Sequence, residues 1–207
     1  MGLDYSYMLY FKQDQLADVL QGVADIAEKH HPPTRINFPD RVVDVPLDSG
    51  LSEEKILQYD DPELGFDTVL IFDEDEAIID WGHGQEIDDS FRSPPGSETV
   101  NPVSVGYIYL TVYNDLSQYF PEINLKLNDL VLFDFGTTGT RMSTMFLYST
   151  SIRKKFIGLL RKYNGVCGVF NKEEEGEVFW LNEKEISGFI DDPWLSPEEI
   201  EQKLTRG

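Results

Sequence analysis

The sequence predicts a single α+β domain over residues 1–207: a largely antiparallel or mixed sheet covered by two amphipathic helices, with a short C-terminal helix. Three observations predict it. Segments 14–29 and 151–163 carry apolar side chains at the 3.6-residue period of a half-buried helix. Several short runs rich in Tyr, Phe, Val and Ile alternate at the period of a strand. Clusters of Pro, Gly, Asn and acidic residues separate those runs and favour turns. A helix with one apolar stripe needs an apolar sheet face, and about seven to nine aromatic-rich strands would supply it.

The elements follow in chain order. Residues 5–12 read as a strand, with Tyr5, Tyr7, Leu9 and Phe11 on one face and Met8 and Tyr10 on the other. Apolar groups on both faces mark a covered, central strand. Asp14 is placed to cap a helix running to Lys29, with Leu16, Val19, Leu20 and Val23 as its buried stripe. Arg41–Val45 is a short strand. Thr68–Phe72 and Ala77–Trp81 read as a hairpin around the acidic tip 73–76. In Val105–Tyr113 the odd-numbered residues face one way and Ile108, Leu110 and Val112 the other. Leu130–Phe133 and Met145–Tyr148 read as strands on either side of a turn-rich loop, Phe135–Thr140. Ser151 is placed to cap a helix ending at Tyr163, with Gly165 as its left-handed terminator. Val166–Phe170 and Glu177–Leu181 form a hairpin. Ser196-Pro197-Glu198-Glu199 is a capping box that starts the last helix, 197–205. The Pro-rich loop 90–104 is a candidate internal boundary.

The composition, 41% hydrophobic and 13% aromatic, suits a packed core. The single cysteine, Cys167, excludes an intramolecular disulfide and sits in an apolar run, as a small buried hydrophobe does. The N-terminus shows no signal-peptide pattern, and no apolar run approaches the ~18 residues that cross a bilayer. These features predict a soluble, cytoplasmic protein. A net charge of −21 repels nucleic acid and anionic membranes, so neither is expected as a partner. A basic protein partner suits it better. Oligomeric state stays open, because basic and acidic patches pair equally well within one chain or between protomers.

That charge is unevenly distributed. Counting Lys and Arg against Asp and Glu, residues 1–134 carry −20, residues 135–172 carry +7 and residues 173–207 carry −8. The middle stretch has no acid and seven cations: Arg141, Arg153, Lys154, Lys155, Arg161, Lys162 and Lys172. Segregated charge points to an interaction surface.

One candidate site lies within it. Gly136, Thr137, Thr138, Gly139, Thr140 and Arg141 form a loop able to turn backbone N–H groups onto an anion. Ser151 starts a helix whose free N–H groups favour negative charge, with Arg153 and Lys154 beside it. Together they would hold a phosphate- or carboxylate-bearing small molecule. The bland alternative is a plain turn, a helix cap and a basic face paired with the protein's own acids. The spacing is not that of a Walker A loop. Asp73, Asp75 and Glu76, with the pairs Asp60–Asp61 and Asp88–Asp89, lack EF-hand spacing, and His30–His31 lacks zinc-ligand company, so no metal or other cofactor is expected. His83, between two glycines, has no nucleophile motif beside it. With no complete catalytic constellation, the leading expectation is a non-catalytic binding or interaction protein. The alternative is an anion-binding domain or enzyme using the loop and the helix start.

Overall fold

A computed structural model describes residues 2–50, 56–82, 101–116 and 129–206. The elements run β1 (Ser6–Lys12), α1 (Leu16–Asp25), β2 (Thr34–Asn37), β3 (Val42–Val45), β4 (Ile56–Gln58), β5 (Glu63–Asp73), α2 (Glu76–Gly82) and β6 (Pro102–Tyr113). They continue β7 (Leu130–Thr137), α3 (Thr140–Tyr148), α4 (Thr150–Lys162), β8 (Cys167–Asn171), β9 (Gly176–Leu181), β10 (Lys184–Ile190) and α5 (Pro197–Arg206). The fold is α+β. Seven strands form one antiparallel sheet in the order β10-β9-β8-β1-β7-β6-β5. A small mixed sheet, β3-β2-β4, stands beside it, with β2 and β4 parallel.

β1 holds the centre of the large sheet, as its two apolar faces predict, and only Lys12 among its residues is exposed. Its Tyr7 face packs under the helices. The Tyr7 ring lies 4.7–5.5 Å from those of Phe146, Phe156, Phe170 and Phe179, and its hydroxyl donates to the Phe146 carbonyl at 3.1 Å. α4 contributes Ile152, Phe156, Leu159 and Leu160 to this core, as its period predicts. Emptying the Phe156 position would cost about 3–5 kcal/mol. The opposite face carries a smaller core of Met8, Tyr10, Leu132, Cys167 and Val178, closed by Ile190 and by Ile200 of α5. α5 starts with the predicted capping box: the Ser196 hydroxyl accepts from the Glu199 N–H at 3.3 Å, and the Glu199 carboxylate from the Ser196 N–H at 3.0 Å.

Several expectations are corrected. The first helix is a 3-10 turn, Gln13–Gln15, followed by α1, and Asp14 does not cap it. It stops at Asp25 because the next residues pair with the free edge of β5: Ile71 N–H reaches the Ile26 carbonyl and Glu28 N–H the Val69 carbonyl. An unpaired strand edge is thereby covered. The predicted 68–81 hairpin is instead one long strand, β5, and then α2. The predicted strand 145–148 is the last turns of α3, and β7 runs through Gly136 and Thr137, which the sequence assigned to a loop. Past α4 the left-handed residue is Asn164, with φ 49, rather than Gly165. Gly165 is required for a different reason: a Cβ there would lie 2.3 Å from the Leu160 side chain.

In β6 the alternation is broken. Tyr107 takes φ 59, and the pairing shifts from Thr68↔Ile108 to Leu70↔Val105. This bulge turns Val105 into the core and leaves Tyr107 73% exposed, so the two do not share a face as expected.

Residues 83–100, with His83, Asp88, Asp89 and most of the candidate boundary 90–104, lie outside the described residues. No helix among the described residues is long and apolar enough to cross a membrane.

Candidate functional site

The site is built where α2, α3 and α4 meet. Asp75 ends the turn after β5. Its Oδ1 accepts the Ile78 N–H at 3.1 Å and so caps α2. Its Oδ2 accepts the Ser149 hydroxyl at 2.8 Å and the Ser151 N–H at 2.9 Å, and so also sits at the start of α4. Burial pushes this carboxyl's pKa up. The bonds from Ser151, Ser149, Ile78 and Thr150 outweigh burial and hold it below its ordinary value. The side-chain cap of α4 is Ser149, whose hydroxyl accepts from the Ile152 N–H at 3.1 Å. The sequence assigned that role to Ser151, which instead gives its backbone N–H to Asp75. An anion was expected at this helix start, and the anion found there is the protein's own Asp75.

α3 begins after Gly139, whose φ of 96 suits glycine. Arg141, in its first turn, donates to the carbonyls of Asp80 and Trp81 at 3.3 and 3.0 Å, holding the C-terminal end of α2. Asp75 thus ties α2 to α4, and Arg141 ties α2 to α3. Between α2 and α3 a hollow of about 550 Å³ remains, walled by Ala77, Trp81, Met145 and Tyr148, with Glu76, Asp80 and Arg141 among its polar groups. A second hollow, about 370 Å³, adjoins it through Trp81, Thr140 and Arg141 and reaches Tyr107, Thr138 and Gly139.

The residues predicted as one anion site therefore fall into three places. Thr138, Gly139, Thr140 and Arg141 line the hollows. Gly136 and Thr137 are strand residues, and the Thr137 hydroxyl bonds the Tyr5 carbonyl at 3.1 Å. Ser151, Arg153 and Lys154 stand at the other end of α3, about 13 Å along a nine-residue helix. The two halves would adjoin if 145–148 were a strand, and the helix that forms there instead holds them apart.

The seven cations of 135–172 are dispersed too. Arg153 pairs with Glu177 at 2.7 Å, Lys172 with Glu175 at 2.6 Å, Lys162 with Asp25 at 3.8 Å, and Arg161 with Glu185. Lys154 and Lys155 make no ion pair among the described residues.

Other candidates resolve simply. Asp61 accepts the Gln58 N–H at 2.9 Å. Among the described residues, no three His, Cys, Asp or Glu side chains gather as metal ligands. Cys167 is fully buried, which raises its thiol pKa well above the ordinary value. Trp81, Tyr107 and Tyr148 also line the hollows, and no local pattern in the sequence marks them as site residues. A usable signal existed for Asp75, because an Asp followed by Glu76-Ala77 is a helix start.

No protein-family model matches this chain, and neither a curated protein nor a solved structure matches it.

Proposed function

We propose that this is a non-catalytic cytoplasmic binding protein whose acidic exterior attracts a basic protein partner. One observation carries the reading. Four of the seven cations in the acid-free stretch 135–172 are occupied by the chain's own carboxylates, so the net charge of −21 is offered outward as negative potential. Such a surface raises the encounter rate with a basic protein and depends steeply on salt. A single cysteine, buried and unpaired, suits a reducing compartment. The test is affinity capture from cytosol, with the captured partner titrated across ionic strength. Binding should weaken as salt rises, and a specific partner whose affinity ignores salt would remove the steering account.

A second reading has one observation in its favour: Thr138, Gly139, Thr140 and Arg141 line a hollow, as a site for a phosphate- or carboxylate-bearing small molecule would require. A thermal-shift screen with phosphates, nucleotides and carboxylates separates the two. At one hundred times the dissociation constant a ligand stabilises by about 2.7 kcal/mol, and under this reading that gain disappears in Arg141→Ala.

A further inference from the structure

The two hollows beside Arg141 belong to a longer surface. A third hollow, about 540 Å³, lies along the covered edge of β5 and shares Tyr107 with the second. It is bordered by Glu28, Asp48, Asp67 and Tyr109. The three are contiguous through shared residues and make one track from Tyr148 to Tyr109. Aromatic rings recur along it: Tyr148 is 68% exposed, Tyr107 73% and Tyr109 39%, with Trp81 half-buried between them. The bulge in β6 is what stands Tyr107 out into solvent at the junction of two hollows.

The charge on the track is one-sided. Among the described residues five carboxylates border it, Glu76, Asp80, Glu28, Asp48 and Asp67, with Asp48 lying 3.7 Å from the His30 imidazole. Among the described residues, the two Lys or Arg side chains that line it are turned to backbone carbonyls of this chain, Arg141 to Asp80 and Trp81, Lys29 to Ala24. Exposed rings flanked by carboxylates suit a guanidinium or ammonium, which stacks on the ring face and pairs with the acid. Tyr and Trp are also the residues that anchor protein interfaces.

We infer that this track is the docking surface for an extended, Arg- and Lys-bearing peptide segment of the partner. The inference rests on the basic-partner reading and locates it. The cations of the segment lie over Tyr148, Trp81 and Tyr107 in succession, with Glu76, Asp80 and Asp67 as counter-ions.

The experiment is a fluorescence-anisotropy titration of the full chain with a labelled peptide of alternating Arg and Ser. Tyr148→Ala and Tyr107→Gly remove rings without changing charge, and glycine accepts the φ of 59 at position 107. Glu76→Gln with Asp80→Asn removes two charges on the track. Asp18→Asn with Glu174→Gln removes two exposed charges away from it. Each variant is first shown to keep its cooperative thermal transition. The parent should bind, each ring variant should lose about tenfold in affinity, and the track charge pair should lose more than the distant pair. Equal losses from the two charge pairs, with the ring variants unchanged, would overturn the track and leave the basic-partner reading standing. No binding by the parent at low salt would overturn both. Spermine competing as well as the unlabelled peptide, at equal charge, would overturn the peptide assignment.

Discussion

Asp75 and Asp134 are carboxylates in contrasting settings, one half-buried among the helices and one with a fully buried oxygen on the opposite face of the large sheet. Asp75 meets donors on both oxygens: the Ile78 N–H on one, the Ser149 hydroxyl and Ser151 N–H on the other. Its pKa falls below the ordinary value. Asp134 stands on β7, opposite Met8 of β1 and Thr111 of β6. Its Oδ1 is buried with no hydrogen-bond partner among the described residues. Burial raises its pKa to about 6, against a smaller lowering from the Ser6 hydroxyl. Burial is deeper at Asp134 and donors are more numerous at Asp75, and both differences drive the two pKa values apart. What a carboxylate costs is set by its burial together with the number of donors aimed at the charged form.

The largest expected effect tests the poorly served acid. With a folded pKa of about 6 against an ordinary 3.8, Asp134 holds its proton more tightly in the folded state. Its penalty is absent below pH ~4, grows as pH rises toward about 6 and is complete above it. Asp134→Asn should therefore stabilise the protein by up to about 3 kcal/mol at neutral pH and by almost nothing below pH ~4. Denaturant melts at the two pH values measure this, and equal stabilities at neutral pH would break the contrast.

Next is the well-served acid. Asp75→Ala strips caps from two helices and should destabilise by about 2 kcal/mol. Because its folded pKa is lowered, the contribution of Asp75 is present above its unfolded pKa and lost as pH falls through the folded one. The deficit of the variant should therefore shrink in acid, as the gain of Asp134→Asn does, but with the opposite sign. A deficit that stays constant down to pH ~2 would show that packing, not the carboxylate, joins the helices there.

Smaller changes sharpen the same contrast. Ser6→Ala removes the donor that Asp134 has among the described residues, so the acid should titrate above about 6. The cost should be about 1 kcal/mol at neutral pH and vanish once Asp134 is protonated. Carbon-detected titration of the carboxyl would follow it directly, and an unmoved midpoint would remove Ser6 from the account. Ser149→Ala takes one of several donors from Asp75 and the side-chain cap from α4, and should cost about 1 kcal/mol at any pH above ~5.

The same division separates what was legible in the chain from what was not. β1, α4 and the start of α5 were readable because each is written in neighbours a few residues apart: a two-faced apolar run, a 3.6-residue stripe, a capping box. α2 and the end of α3 were not. Ile78-Ile79 and Met145–Tyr148 are short apolar runs whose period fits a strand or a helix equally, and packing against each other decided for helix. Ser151, Arg153 and Lys154 accordingly stand at the far end of α3 from the loop 136–141.

By itself the sequence determined the α+β class, the central strand, the long helix α4 and the surplus of negative charge, since local period and composition encode these. Only the tertiary structure decided which carboxylate serves which helix start, which cations are neutralised and which tyrosines reach solvent. Asp75 and Ser151 are 76 positions apart, and their meeting depends on the order in which seven strands assemble. No pattern within a few residues carries that order, because strand pairing is settled by the whole sheet at once.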